Sequence, residues 1–303
     1  MKVIVLLSSY NGENYIRQQL DSLLAQDLQP YRIIIRDDGS NDGTIDILKE
    51  YCERHANISY YTGENLKPAR SFFDLIRNSE EADYYALCDQ DDVWFSDKLS
   101  RAVGLLEKEN NDIPLLYCSK YTLTDKDLNP LDSNVSSLYN FSDFPHALIY
   151  HTAPGCTFVF NEAARKQILR YDVNKEYCVI HDAIIHKVVT LYGKMILDPE
   201  SHMYYRQHGN NQIGMDANVF RTFVGRVRRF LNGQIRNYRR DTARSLLRVY
   251  GNDCDPDKKK LIEMVAYYDE DVELKKALLK SDCYRSGTVN DVFFRLLVLV
   301  NYI

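Results

Sequence analysis

Long apolar runs, paired cysteines and tryptophan are what this 303-residue chain has little of. The strongly apolar stretch at 292–300 contains Arg295 and is less than half the roughly 20 residues that a spanning helix needs. Near the start, Met1-Lys2 runs into Val3-Ile4-Val5-Leu6-Leu7 and then Ser8-Ser9, which is too short for a signal peptide or a membrane span and reads as a buried strand. The seven cysteines (Cys52, Cys88, Cys118, Cys156, Cys178, Cys254, Cys283) never form a C-x-x-C pair, so neither a disulfide framework nor a zinc knuckle is indicated, and a reducing cytosol is expected. Net charge is −5, which gives no basic footprint for nucleic acid. No G-x-G-x-x-G or G-x-x-x-x-G-K-[ST] turn follows a strand-like segment, and G-x-S-x-G and H-E-x-x-H are absent. Those absences argue against dinucleotide chemistry, phosphate-loop ATPases and the simplest hydrolases.

What the chain does contain, with 45% hydrophobic residues, is alternation. Apolar strands at 3–7, 32–36, 58–61, 84–88 and 115–118 are separated by segments with apolar residues at helical spacing, such as Ile16, Leu20, Leu23 and Leu24, or Phe72, Phe73, Leu75 and Ile76. That order predicts an α/β fold with a mainly parallel sheet flanked by helices, and ligands outside the carboxyl ends of the strands. Asp37-Asp38 and Asp89-Gln90-Asp91-Asp92 both sit at such ends, so one rim carries both groups. Asp89 and Asp91 are spaced to share a hard cation, although an acidic turn before a helix capped by Ser96 is the plainer reading. Further on, a polar loop spans 125–142, a strand is expected at 155–160, Asn161 caps a helix, residues 180–192 form another, and strands are expected at 194–197 and 203–206. The run from Asp38 to Gly43 superficially fits a calcium loop, but Lys49 occupies the place of the bidentate Glu and a strand precedes it.

Beyond about residue 215 the character changes. Residues 220–240 hold Arg221, Arg226, Arg228, Arg229, Arg236, Arg239 and Arg240 with no acidic residue, beside apolar positions at helical spacing. That pattern suits a helix on an anionic membrane surface, or a core helix whose arginines pair with acids elsewhere. A helical tail follows.

The three strand-end segments Val3-Ile4-Val5-Leu6-Leu7-Ser8-Ser9-Tyr10-Asn11-Gly12, Ile35-Arg36-Asp37-Asp38-Gly39-Ser40-Asn41-Asp42-Gly43-Thr44 and Leu87-Cys88-Asp89-Gln90-Asp91-Asp92-Val93-Trp94 together resemble the inverting family 2 glycosyltransferases with the GT-A fold. The last of them is most similar to bacterial rhamnosyltransferases of capsule, O-antigen and rhamnan synthesis. The resemblance implies a GT-A catalytic domain over 1–215, with a nucleotide-sugar half at about 1–120 and an acceptor half at about 120–215. The helical region at 216–303 remains for membrane-surface or oligomer contact. It also implies Mg²⁺ or Mn²⁺ as cofactor and transfer of a sugar, L-rhamnose from dTDP-rhamnose first and a UDP-hexose second, to a lipid-linked saccharide at the inner face of the cell membrane.

Carried over residue by residue, the resemblance assigns Ser9, Tyr10, Asn11, Glu13, Asp38, Asp89, Gln90 and Arg206 to the nucleotide sugar, with Asp38 on the base. Asp89, Asp91 and His208 are assigned to the metal, and Trp94 and His181 to the acceptor. Asp182, in a His-Asp pair at a helix start, takes the role of the base. Two other functions are weighed against this. A sugar-1-phosphate nucleotidyltransferase needs a long glycine- and arginine-rich loop where this chain has Ser8-Ser9-Tyr10-Asn11-Gly12-Glu13, and a membrane-surface scaffold has no use for Asp38, Asp89, Asp91 and Asp182 together.

Overall fold

A computed structural model describes residues 1–131, 142–150, 153–208, 237–281 and 288–303. Most of the arginine-rich segment, including Arg221, Arg226, Arg228, Arg229 and Arg236, lies outside the described residues, as does most of the 125–142 loop.

Eight strands form one sheet: β1 Val3–Ser9, β2 Arg32–Asp37, β3 Ile58–Thr62, β4 Tyr84–Asp89, β5 Val93–Trp94, β6 Leu115–Thr124, β7 Val159–Asn161 and β8 Lys194–Arg206, in the spatial order β3-β2-β1-β4-β7-β6-β8-β5. The described helices of the first 208 residues are α1 Ile16–Leu24, α2 Thr44–Arg54, α3 Lys67–Asn78, α4 Lys98–Leu106, α5 Phe144–Ile149, α6 Glu162–Ile168 and α7 His181–Tyr192. Four more follow: α8 Tyr238–Tyr250, α9 Pro256–Tyr267, α10 Val272–Lys280 and α11 Thr288–Leu299.

The first four strands behave as their pattern predicts, pairing in parallel through helical crossovers. Period-2 alternation sends Val3, Val5 and Leu7 of β1 into one core with Ile16, Leu20, Leu23 and Leu99, while Ile4 and Leu6 enter the other with Phe72, Ile76, Ile184 and Val188. β1 is therefore buried on both faces, which is why it reads as an unbroken apolar run. The second core continues into Ala243, Leu246, Ile262, Val265 and Val298, so the C-terminal helices share it with the sheet.

Three expectations need correction. The strand expected at 155–160 is a tight turn at Gly155–Thr157 followed by the three-residue β7, which runs antiparallel to both β4 and β6. The two strands expected at 194–197 and 203–206 are one, β8, whose register against β6 shifts twice. Ser96 does not cap α4: the N-cap residue is Asp97, and the backbone before it forms β5, paired antiparallel with β8. Asn161, by contrast, caps α6 as expected, its side chain accepting the Ala164 N–H at 2.9 Å.

Candidate active site

The register of β1 builds the rim. Ser9 lies opposite Asp37 and Ser8 opposite Asp89, so the ends of three parallel strands deliver hydroxyls and carboxylates to one edge. Asp37 is fully buried and organises the loop after β2, accepting hydrogen bonds from Ser9 Oγ, the Gly39 and Ser40 N–H groups and Ser40 Oγ. Gly39, at φ +81°, permits the turn. Asp38, also buried, forms an ion pair with the Arg36 guanidinium, which itself binds Asp74 and the Glu64 carbonyl.

The loop after β1 is laced to the loop after β2 and to the acidic run. Gln90 accepts from the Tyr10 N–H at 2.8 Å and donates to the Tyr10 carbonyl at 3.0 Å. Asn11 receives the Asn41 N–H on its side chain and gives its own N–H to Ser40, while Glu13 accepts from the Gly43 N–H at 2.7 Å. Asn11, Glu13 and Gln90 thus brace these loops against one another. Gly12 has no side chain because a Cβ there would overlap the Gln90 carboxamide.

Short β5 then turns the chain onto β8, and this pairing carries the end of β8 back to the acidic run. His208 Nε2 lies 2.8 Å from Asp91 Oδ2, and its ring stacks on Tyr15 with centroids 4.6 Å apart. Arg206 is buried: its guanidinium donates to the Asp91 carbonyl, the Lys126 carbonyl and Gln18 Oε1, and packs over Tyr15. Those bonds clamp the acidic loop from behind. Its N–H also donates to Asp92, which is buried beneath the rim.

Negative charge accumulates here. Burial, with the charges of Asp91 and Asp182 added, pushes the Asp89 carboxyl up to about 7. Burial raises Asp92 well above the carboxylate range, with Asp91 and Asp89 adding to the shift. The carboxylate oxygens and one imidazole at the edge of this rim fit a hard divalent cation. Asp91 and His208 are already paired, but Asp89 does not close with them into a tight triad. Among the described residues, the triads close enough to hold an ion are Asp89 with Asp92 and Cys156, and Asp198 with Glu200 and His202.

Asp182 enters from the far side, in the first turn of α7. That helix is buried along its length, polar residues included. The Asp182 carboxylate accepts the Gly155 N–H at 3.2 Å and the Ala183 N–H at 2.9 Å. His181 is buried against the Phe72 ring, with centroids 4.2 Å apart, and a Cβ on Gly155 would overlap its Nε2. Trp94 is placed differently from its expected position on the acceptor: it is 3% exposed in the core, because β5 pairing turns its side chain inward beside Leu99.

Several residues that shape the site escaped sequence reasoning. Arg36 did so because its partners are set by the sheet register, whereas Asp37, expected on the rim, is there but serves to organise the loop after β2. Lys98 left a signal: it lies at helical spacing with buried Ala102 and Leu106, on the inward face of α4. Cys156 has no local signal. Of the seven arginines, the two described differ from a membrane-facing reading. Arg239 is partly buried, donating to the Ile149 carbonyl, and Arg240 is paired with Asp241 and Asp269.

A mixed sheet whose parallel strand ends carry a carboxylate rim, with a second acid opposite, defines a GT-A type glycosyltransferase, and comparison with known proteins agrees. Solved structures of similar shape include S. aureus TarS 1-349 (TM-score 0.58, 15% identity, covering 98% of this chain and 81% of that one). Another is the mannosyltransferase PcManGT of Pyrobaculum calidifontis in complex with GDP-Man and Mn²⁺ (TM-score 0.57, 14% identity, 99% and 80%). At these identities the likeness shows the fold. The profile of glycosyl transferase family 2 matches residues 4–168, and the chain belongs to that family. A dTDP-rhamnosyl transferase, RfbG of Shigella flexneri, is 29% identical over 261 residues, covering 78% of this chain and 82% of its relative. A glycosyltransferase of Rickettsia typhi, RT0329, is 30% identical over 59% of this chain and 56% of its own length.

Proposed function

We propose that this glycosyltransferase transfers L-rhamnose, with inversion, from dTDP-rhamnose to a lipid-linked saccharide. The observation that carries a two-sided transfer site is the Gly155–Cys156 pair, where the Gly155 N–H donates to Asp182 while the Cys156 thiol lies within 4.8 Å of carboxylate oxygens of Asp89 and Asp92. The likeness to RfbG supports rhamnose as the donor sugar, with a UDP-hexose as the alternative.

In this reading Asp38 receives the imide N–H of the base, and the braced loop of Ser9, Tyr10, Asn11 and Glu13 contacts the nucleotide. Asp89, Asp91 and His208 would hold Mg²⁺ or Mn²⁺, which when bound supplies positive charge against the leaving diphosphate. Gln90 and Arg206 keep that edge in place through Tyr10 and the Asp91 carbonyl. The acceptor hydroxyl gives its proton to a carboxylate oxygen of Asp182, which two backbone N–H groups hold in position. His181, behind that carboxylate, shapes the acceptor side.

A membrane-surface location accompanies this proposal. No described helix is long and apolar enough to cross a bilayer. The outward face of α11 and the residue just after it, however, expose Val292, Leu296, Leu299 and Val300, all more than half exposed and spaced as one stripe, with Arg295 beside them. Sedimentation with anionic vesicles should fall when Leu296 and Leu299 are both changed to Glu. Unchanged sedimentation, or loss of a dimer instead, would refute it.

The catalytic reading is tested by incubating the protein with Mn²⁺, a lipid-linked acceptor and a panel of thymidine, uridine and guanosine diphosphate sugars. Release of dTDP from dTDP-rhamnose is expected, with Asp182→Asn still binding nucleotide but losing transfer. Turnover of a UDP-hexose alone would replace the donor, and an active Asp182→Asn would remove the base.

A further inference from the structure

Behind the acidic rim lies an ammonium group that the transfer reaction described above does not use. Lys98, in the first turn of α4, has no exposed surface. Its Nζ donates to the Cys156 carbonyl at 2.6 Å, lies 3.2 Å from Met203 Sδ and sits 4.0 Å from the centre of the Trp94 ring. A lysine buried this completely needs compensation. Burial lowers the Lys98 pKa, and Asp92, as deeply buried, is one of the neighbouring groups that oppose the shift. The same ammonium bears on the grouping of Asp89, Asp92 and Cys156. Those three side chains lie close enough to hold an ion, but the Lys98 ammonium already interacts with Asp92 and Cys156, which disfavours a metal ion there.

What Lys98 holds is the turn Gly155–Thr157. One residue before the carbonyl it binds, the Gly155 N–H donates to Asp182 Oδ2, and the absent Gly155 side chain leaves room for the His181 ring. The turn is fixed on its other side by the Thr157 hydroxyl, which donates to the Pro154 carbonyl, and by the Phe158 carbonyl, which accepts the Leu87 N–H of β4. A continuous path of short polar contacts thus runs from Lys98 through Cys156 and Gly155 to Asp182, linking the helix behind the donor rim to the opposite wall.

We infer that Lys98 is a positioning residue for the transfer step, pinning the Gly155–Thr157 turn so that its backbone orients the Asp182 carboxylate toward the acceptor. This rests on the reading of Asp182 as the base.

The test is Lys98→Met, which keeps the stem and removes the charge, assayed with donor, Mn²⁺ and acceptor beside wild type and Asp182→Asn. A folded Lys98→Met should lose about 100-fold in kcat, with KM for the donor and the affinity for nucleoside diphosphate unchanged, because a misaimed base slows chemistry without touching donor binding. A kcat within about threefold of wild type, with Asp182→Asn inactive, overturns the role of Lys98 alone. A fully active Asp182→Asn removes the base assignment and this inference with it. If Lys98→Met fails to fold, the double variant Lys98→Met/Asp92→Asn, which removes the ammonium together with the buried acid that faces it, decides. Regained thermal stability with kcat still depressed supports the inference, and regained stability together with wild-type kcat overturns it.

Discussion

Asp91 and His208, separated by 117 positions in the chain, meet at 2.8 Å between the carboxylate Oδ2 and the imidazole Nε2. Neither element could arrange this alone. β4 ends in the acidic run, and β8 reaches it only because the two residues of β5 pair with β8 immediately after that run. Tyr15 then stacks on the imidazole and fixes its plane. His208→Ala should therefore weaken Mn²⁺-dependent nucleotide binding by about 10- to 100-fold, the range typical when an oriented group at a metal site is lost. Isothermal titration with and without Mn²⁺ measures it, and the loss should vanish when the metal is omitted.

Proton and cation compete at Asp89. Its carboxyl is raised to about 7 by burial and by the charges of Asp91 and Asp182. A carboxyl raised on folding contributes stability that is present below its unfolded value near 4 and is lost as pH rises through 7, because the folded state holds the proton longer. Mn²⁺ favours the ionised form, so its affinity should increase by about tenfold between pH 6 and pH 8, with a proton released at the lower pH. Titrations in two buffers of different ionisation enthalpy count that proton. Thermal stabilisation by Mn²⁺ should likewise be larger at pH 8 than at pH 6.

The loop after β1 offers a separate test. Gln90 is tied to both polar groups of the Tyr10 backbone, so its carboxamide has little freedom to yield to a new methyl group. Gly12→Ala would drive a Cβ into it. Overpacking of this kind costs about 1–3 kcal/mol. Because the displaced loop faces the donor in the proposed reading, KM for the nucleotide sugar should rise more than kcat falls. Steady-state kinetics with a saturating acceptor separates the two.

How much of this was legible in sequence follows from the range of each interaction. The first four strands and their crossover helices were readable because burial on one stripe or on both faces leaves a local period, as in Ile16, Leu20 and Leu23 or in β1. The carboxylates at strand ends were readable for the same reason. What local pattern does not encode is pairing at a distance. Two-residue β5 is too short to show alternation, yet it decides that Trp94 is core and that His208 reaches Asp91. β7, three residues long, runs antiparallel to both neighbours in a sheet expected to be mainly parallel. Arg206 reads as a surface residue by type, and only the tertiary contacts that satisfy its charge reveal it as buried.

α7 yields the last prediction. Lys187, on the same helix as Asp182, is 1% exposed, donates to the Ala183 carbonyl and lies near the Tyr238 ring at the start of α8. Burial, with the nearby Arg239 charge added, lowers its ammonium to about 7, against the opposing pull of Asp182. Between pH 7 and the unfolded value near 10.5 the unfolded chain binds the extra proton, so this group's penalty on stability is largest near and below pH 7 and shrinks as pH rises. Lys187→Met removes the penalty while filling the same space. The variant should be more stable than wild type at pH 6.5, on the order of 1–4 kcal/mol as for other buried charges replaced by apolar side chains, and the gain should diminish by pH 9. Denaturant unfolding at the two pH values measures the difference. A loss of stability at pH 6.5 would mean that the bond to Ala183 and the contact with Tyr238 outweigh the cost of burying the charge.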